Sequence, residues 1–298
     1  MDERRLIWIF GSSRSGSTWL LKMLSEFDGV VPIDDPHLGH HLGVWRPIPL
    51  AWAVADGEPP DLTTLLDLKA EEPCYFFSER HRESWWEPLR QLIAARFDSQ
   101  VAEHGSEDGR ALLVVKEPGS HVAPLLTALF PAGRLIFLLR DGRDVVDSWL
   151  AAYREGAWAI PGGAFPVSEQ GRIPLIRWLS AVWAYRSRAV RDAYEATRPE
   201  NRLMLRYEDL LGEATRSLER LCDLLGLDRR EAAAVAARHS FERLPPGSRG
   251  PHLRERAASP GAWRRNLTEN EQQAMHAEIG GALAEFGYDP VVPPVVAA

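Results

Sequence analysis

The chain has 298 residues, 45% of them hydrophobic, with 42 acidic against 35 basic side chains and a formal net charge of −7. That length is enough to bury a substantial core in one α/β domain, and the acidic balance excludes an electrostatic nucleic-acid binder. The two cysteines, Cys74 and Cys222, exclude a disulfide framework and point to a reducing, cytoplasmic setting.

The first element is an apolar strand at 6–10, Leu6-Ile7-Trp8-Ile9-Phe10. It is too short for a signal peptide or a membrane-spanning helix, so neither is expected here. A polar loop follows, Gly11-Ser12-Ser13-Arg14-Ser15-Gly16-Ser17-Thr18-Trp19, and opens into an amphipathic helix over 17–27. Strand, Gly/Ser loop and helix N-terminus together aim unpaired backbone N–H groups at one spot, which suits a phosphate or sulfate. The loop nearly satisfies the Walker A pattern, but Ser17 stands where the lysine belongs and Arg14 is its only cation. Plain turn chemistry is the competing reading of such a loop.

Residues 36–84 carry prolines, Gly57 and the aromatics Trp45, Trp52, Tyr75, Phe76 and Phe77, and interrupt the alternation of strands and helices. An irregular insertion of this length reads as a substrate-binding element or as an excursion covering the sheet edge. His37, His40 and His41 lie within it without a metal-ligand pattern, and no metal is expected. A helix near 85–98 and a strand at 111–115 lead to Lys116, followed by a helix at 121–130. The strand at 134–139 ends in Arg140-Asp141-Gly142-Arg143-Asp144, and a helix at 143–154 carries Ser148. Arg140 and Ser148 are spaced to converge on one anion at the carboxyl end of a parallel strand, where open α/β sheets bind ligands.

Further helices are predicted at 172–196, 214–225, 230–238 and 268–286, with a strand at 202–206. The Gly/Pro-rich stretches 155–171 and 245–262 read as mobile flaps, and 291–298 as a disordered tail. Short apolar strands alternating with longer helices predict an α/β fold, a three-layer P-loop-like architecture with a mainly parallel central sheet, in a single domain over 1–290.

Taken together, these segments resemble the sulfotransferases that use 3′-phosphoadenosine 5′-phosphosulfate (PAPS). Ser13 to Trp19 looks like that family's 5′-phosphosulfate loop. Cytosolic members usually carry lysine where Arg14 sits, and tyrosylprotein-type members carry arginine. Arg140 and Ser148 have the spacing of the family's 3′-phosphate site, and Lys116 lies where cytosolic enzymes also place a lysine. His239-Ser240-Phe241-Glu242-Arg243-Leu244 resembles the segment whose aromatic packs on adenine. Arg256, with Trp263-Arg264 after it, resembles the element that closes over the 3′-phosphate, and Tyr207-Glu208-Asp209 matches the Tyr-Glu-Asp turn. The matches run from residue 7 to 268 in family order.

The resemblance implies in-line transfer of a sulfuryl group from PAPS to an acceptor hydroxyl, with adenosine 3′,5′-bisphosphate as product. Its implied cofactor-binding residues are Arg14, Ser15, Gly16, Ser17, Thr18, Trp19, Arg140, Ser148, Tyr207, Ser240, Phe241, Arg256, Trp263 and Arg264. Arg14 and Lys116 would neutralise charge in place of a metal ion. The general base is open. Cytosolic enzymes place a histidine two residues after the lysine, but Pro118 stands there. Lys116-Glu117-Pro118 is more like the Golgi type, whose base is a glutamate after the first helix. Here that region holds Asp34-Asp35-Pro36-His37, so the candidates are Asp35 and His37, then Glu117 and His121.

Two other readings stay open: a P-loop kinase or nucleotide hydrolase, and a catalytically silent nucleotide-binding protein. The missing Walker lysine weighs against the first. The presence of Arg14, Lys116, Arg140, Ser148 and Arg256 together weighs against the second. The aromatic insertion favours a small-molecule hydroxyl acceptor, carrier-bound natural-product intermediates included, with no nucleic-acid or membrane partner.

Overall fold

The computed structural model of the chain describes residues 2–46, 62–104, 111–152, 169–240, 243 and 259–290. Phe241, Arg256, Trp52, the tail 291–298 and most of the segments 155–171 and 245–262 lie outside the described residues.

The chain opens with β1 (Leu6–Phe10), α1 (Ser17–Leu24), β2 (Val30–Asp34) and α2 (Leu38–Leu42). The short strands β3 (Trp45–Arg46) and β4 (Thr63–Thr64) pair antiparallel and lead to α3 (Leu65–Leu68) and α4 (Arg82–Glu103). There follow β5 (Leu112–Lys116), α5 (Ala123–Leu129), β6 (Arg134–Leu139), α6 (Gly142–Ala152) and α7 (Glu169–Ala196). The last elements are β7 (Arg202–Arg206), α8 (Tyr207–Gly212), α9 (Ala214–Leu225), α10 (Ala232–Arg238), α11 (Trp263–Asn266) and α12 (Glu269–Glu285). These elements fall into two compact units. The described residues of 2–46, 63–139 and 186–243 form one, and those of 140–185 and 259–290 form the other.

The first unit is built on a five-stranded sheet in the order β2-β5-β1-β6-β7, every neighbouring pair parallel and helices flanking it. β1 is central and buried along its whole length, which is why it reads as an unbroken apolar run rather than an alternating one. Its side chains still alternate between faces. Ile7 and Ile9 join a core with Leu20, Leu24, Leu218, Leu221 and Val235 from α1, α9 and α10. Trp8 stacks on Phe10 with ring centroids 5.4 Å apart and meets Phe97 and Phe130. Each fully buried side chain of this size contributes roughly 1.5–3 kcal/mol.

All four expected strands are present, and a fifth, β2, joins them. Its sequence, Val-Val-Pro-Ile-Asp, contains Pro32, which breaks a strand reading because proline cannot donate to a ladder. β2 lies at the sheet edge, beside β5 alone, where a missing N–H is tolerated.

In the second unit α6 is nearly all buried and organises the C-terminal helices. Arg143 pairs with Asp141 at 2.8 Å and donates to the Asp289 carbonyl at 2.9 Å, its guanidinium lying 4.7 Å from the Trp263 ring centre. Asp144 accepts the Gly261 N–H at 2.7 Å, and Asp147 accepts from the Asn266 side-chain amide at 2.9 Å. Among the described residues no helix is long and apolar enough to cross a membrane.

Candidate active site

The loop between β1 and α1 is held open by backbone geometry. Ser15 N–H donates to the Ser12 carbonyl at 3.1 Å, and Gly16, at φ +92°, turns the chain into α1. A Cβ at position 16 would lie 2.6 Å from the Tyr207 ring, so this position excludes a side chain on two grounds. The backbone N–H groups of the first turn of α1 have no partners inside the helix, which is the raw material of an anion site. Arg14 sits in this loop at φ +73°.

Lys116, the last residue of β5, is the centre of the arrangement. It is 4% exposed, yet its Nζ donates to Thr18 Oγ1 at 2.9 Å and pairs with Asp34 Oδ1 at 2.6 Å and Asp35 Oδ1 at 2.8 Å. Thr18 lies in the first turn of α1, and Asp34 is Lys116's register partner on β2. The parallel sheet thus brings together the ends of two strands and the start of a helix, and with them Thr18, Lys116, Asp34 and Asp35. Arg14, Asp35 and His37 are the described non-glycine residues with positive φ, at 73°, 54° and 58°. Such conformations cost of order 1–3 kcal/mol each and persist where the surroundings over-determine them, commonly at functional sites.

Glu117 and His121 are placed differently. Glu117 is 1% exposed and accepts three backbone N–H groups, from Leu38 at 2.8 Å, Gly39 at 3.2 Å and Gly119 at 2.6 Å. Burial pushes its carboxyl above the usual carboxylate range, and these three donors oppose the rise. His121 Nε2 faces the Gly39 and Gly43 carbonyls at 3.1 and 2.7 Å, so Nε2 carries the ring's proton. Burial, with the Arg186 charge behind it, pushes His121 down to about 3, so its ring is neutral. The two side chains pin the 37–43 turn onto the 117–119 loop. There Gly39 and Gly119 meet so closely that a Cβ on Gly39 would fall 2.0 Å from the Gly119 carbonyl oxygen.

Trp19 Nε1 donates to the His239 carbonyl at 3.0 Å, tying the first turn of α1 to the chain that continues into Ser240. Tyr207 is buried, edge-on to Trp19 with centroids 6.2 Å apart and against Gly16. It therefore packs the loop from beneath. In the second unit Arg140 lies two residues before α6, with its carbonyl accepting from Trp183 Nε1 at 3.2 Å, and Ser148 is buried on α6. Trp263 is fully buried beside Arg143, whereas Arg264 is exposed.

Sequence reasoning missed Arg186. It is 4% exposed and donates from Nη1 to Ser13 Oγ of the loop at 3.1 Å. It also missed Asp34 as a Lys116 partner, because Asp34-Asp35-Pro36 reads as a turn. No spacing rule flags an arginine in the middle of an arginine-rich helix. The signal for Asp34 was the strand that Pro32 hid.

A protein-family model described as "Sulfotransferase family" matches residues 7–231. Comparison with curated protein sequences returns no match. Among solved structures, the chain is similar to a mouse sulfotransferase complexed with PAP, at 13% identity and TM-score 0.56, covering 94% of this chain and 85% of that one. It is similar to the sulfotransferase domain from the curacin biosynthetic pathway, at 19% identity and TM-score 0.51, covering 95% and 97%. It is also similar to a retinol dehydratase in complex with retinol and PAP, at 16% identity and TM-score 0.51, covering 97% and 84%. At these identities the likeness establishes the fold.

Proposed function

The chain belongs to the sulfotransferase family, and on that premise we propose that it transfers a sulfuryl group from PAPS to the hydroxyl of a small acceptor. The observation that carries this reading is the buried Lys116 ammonium, held between the helix that follows the anion loop and two carboxylates. The nucleotide fits these residues: Ser15 Oγ is buried in the loop with no hydrogen-bond partner among the described residues, and the loop offers the backbone N–H groups that open α1 beside the Arg14 cation. PAP in the mouse and retinol dehydratase complexes supports the same donor class.

When bound, PAPS supplies an electrophilic sulfuryl group on a phosphate leaving group. Arg14 and the loop amides from Ser15 to Thr18, with Trp19 packed behind them, hold the phosphosulfate and neutralise the leaving oxygen. Lys116 orients the sulfuryl oxygens. Asp35 takes the proton of the acceptor hydroxyl, with exposed His37 as the second candidate. Glu117 and His121 serve as supports for that turn. Arg140, Ser148, Arg256 and Arg264 are assigned the 3′-phosphate, and Ser240 and Phe241 the adenine. Tyr207 and Trp263 act through packing. Retinol in one relative and a biosynthetic-pathway domain in another support a small acceptor, free or carrier-bound.

The test is calorimetry without metal. Adenosine 3′,5′-bisphosphate should bind and raise Tm, and ATP with Mg²⁺ should not. Charge-assisted hydrogen bonds contribute about 1.5–3 kcal/mol each, so Arg140→Ala should weaken the bisphosphate roughly tenfold to a hundredfold. Adenosine 5′-phosphosulfate, which lacks the 3′-phosphate, should bind the variant as it binds the wild type. Equal loss on both nucleotides would mean that Arg140 serves the fold.

A further inference from the structure

Arg186 is a charged side chain in the middle of α7, 4% exposed, and the transfer chemistry above makes no use of it. Its Nη1 donates to Ser13 Oγ at 3.1 Å, and Ser13 Oγ in turn donates to the Pro118 carbonyl at 3.3 Å. One hydroxyl therefore joins three parts of the first unit: the end of the long helix α7 from Arg186 onward, the anion loop, and the turn two residues beyond Lys116. The guanidinium also lies 5.9 Å from the Trp45 ring centre, and the Trp45 ring lies tilted against His121 with centroids 4.5 Å apart. Ser13 immediately precedes Arg14, whose left-handed backbone at φ +73° needs neighbours that fix it.

We propose that Arg186 is a positioning residue for sulfuryl transfer, acting through Ser13 to hold Arg14 and the loop at a set distance from Lys116. The inference rests on the function proposed above. Ser13 Oγ both accepts and donates, so losing either of these bonds breaks the relay from α7 through the loop to Pro118, and the two cations that flank the transferring group then lose that common anchor. An ammonium cannot reproduce this, because the planar guanidinium donates along fixed directions. Arg186→Lys should thus behave as a loss, not as a conservative change.

A double-mutant cycle with Ser13→Ala and Arg186→Lys tests this, with Arg186→Met as the charge-deleting companion. Catalysis needs the anchor in the transition state, so each single variant should lower kcat about tenfold, with KM for PAPS within about twofold. The Ser13→Ala/Arg186→Lys double variant should be no slower than the worse single, because both break one relay. Tm measured alongside separates this from unfolding: Ser13→Ala should keep the wild-type Tm to within a few degrees and still lose rate. Full activity in Ser13→Ala, or additive losses in the double variant, would overturn the proposal while leaving the proposed function intact. Failure of the wild type to bind adenosine 3′,5′-bisphosphate would overturn both.

Discussion

Lys116 and Glu117 adjoin in sequence and are buried alike, at 4% and 1% exposure, yet their surroundings divide them by kind of work. Lys116 faces side chains, Thr18, Asp34 and Asp35, and two of these are carboxylates open to solvent on their far side. Glu117 faces backbone, three N–H groups from a turn and a loop that it clamps together. A charged group whose partners are mobile side chains can exchange them for a ligand. One whose partners are peptide groups cannot do so without dismantling the chain around it. Burial and titratability alone do not separate the two; the kind of partner does.

The sharpest way to break that division is at the loop. Arg14→Ala should lower kcat by about 10² or more, the scale for removing a preorganised charge donor. Bisphosphate affinity should fall less, since the backbone amides remain; unchanged turnover in folded protein would sever the loop from the chemistry. Next comes the proton. The acidic limb of the kcat–pH profile should vanish in Asp35→Asn and persist in His37→Ala, with bisphosphate binding retained in both. The reverse pattern would move the base to His37, and two intact profiles would return attention to Glu117.

Glu117→Gln should show the opposite signature. The amide retains one acceptor oxygen where the carboxylate has two, so one backbone N–H is stranded at a cost of about 1–3 kcal/mol. Tm should drop by several degrees, while kcat per folded molecule stays within a few-fold of wild type. The raised carboxyl makes Glu117's stabilising contribution greatest in acid, fading as pH rises through its folded value. At neutral pH, where the ring is uncharged folded or unfolded, the smallest effect is expected at His121, held down to about 3. Between 6.5 and that value the unfolded chain binds a proton the folded ring refuses, so stability should decline on acidification by at most about 1.4 kcal/mol per pH unit. His121→Gln should flatten that part of the Tm–pH curve; an unchanged slope would assign it elsewhere.

Much of this was legible in the chain itself. β1, β5 and β6 are short apolar runs bounded by polar turns, and central parallel strands buried on both faces produce such runs, while the edge strand β7 shows only the short run Leu203-Met204-Leu205. The anion loop carries its own punctuation in Gly11 and Gly16. β2 was hidden because a proline reads as a break until the strand's place at the edge is known. Asp34 and Arg186 were hidden for a related reason: their partners are distant in sequence, and register and helix packing that no local pattern encodes bring them to Lys116 and Ser13.

The contact between Gly16 and the Tyr207 ring sets an order on evolutionary change. A Cβ at 16 collides with that ring and also sits on backbone at φ +92°, so Gly16→Ala is closed while the tyrosine stands. Shrinking residue 207 first removes the collision but not the torsional cost, leaving the loop free to drift without making alanine welcome. A lineage can therefore lose the ring and recover it, but a side chain gained at 16 closes the return path. Two positions 191 residues apart behave as a one-way latch, and any redesign of the loop has to begin at Tyr207.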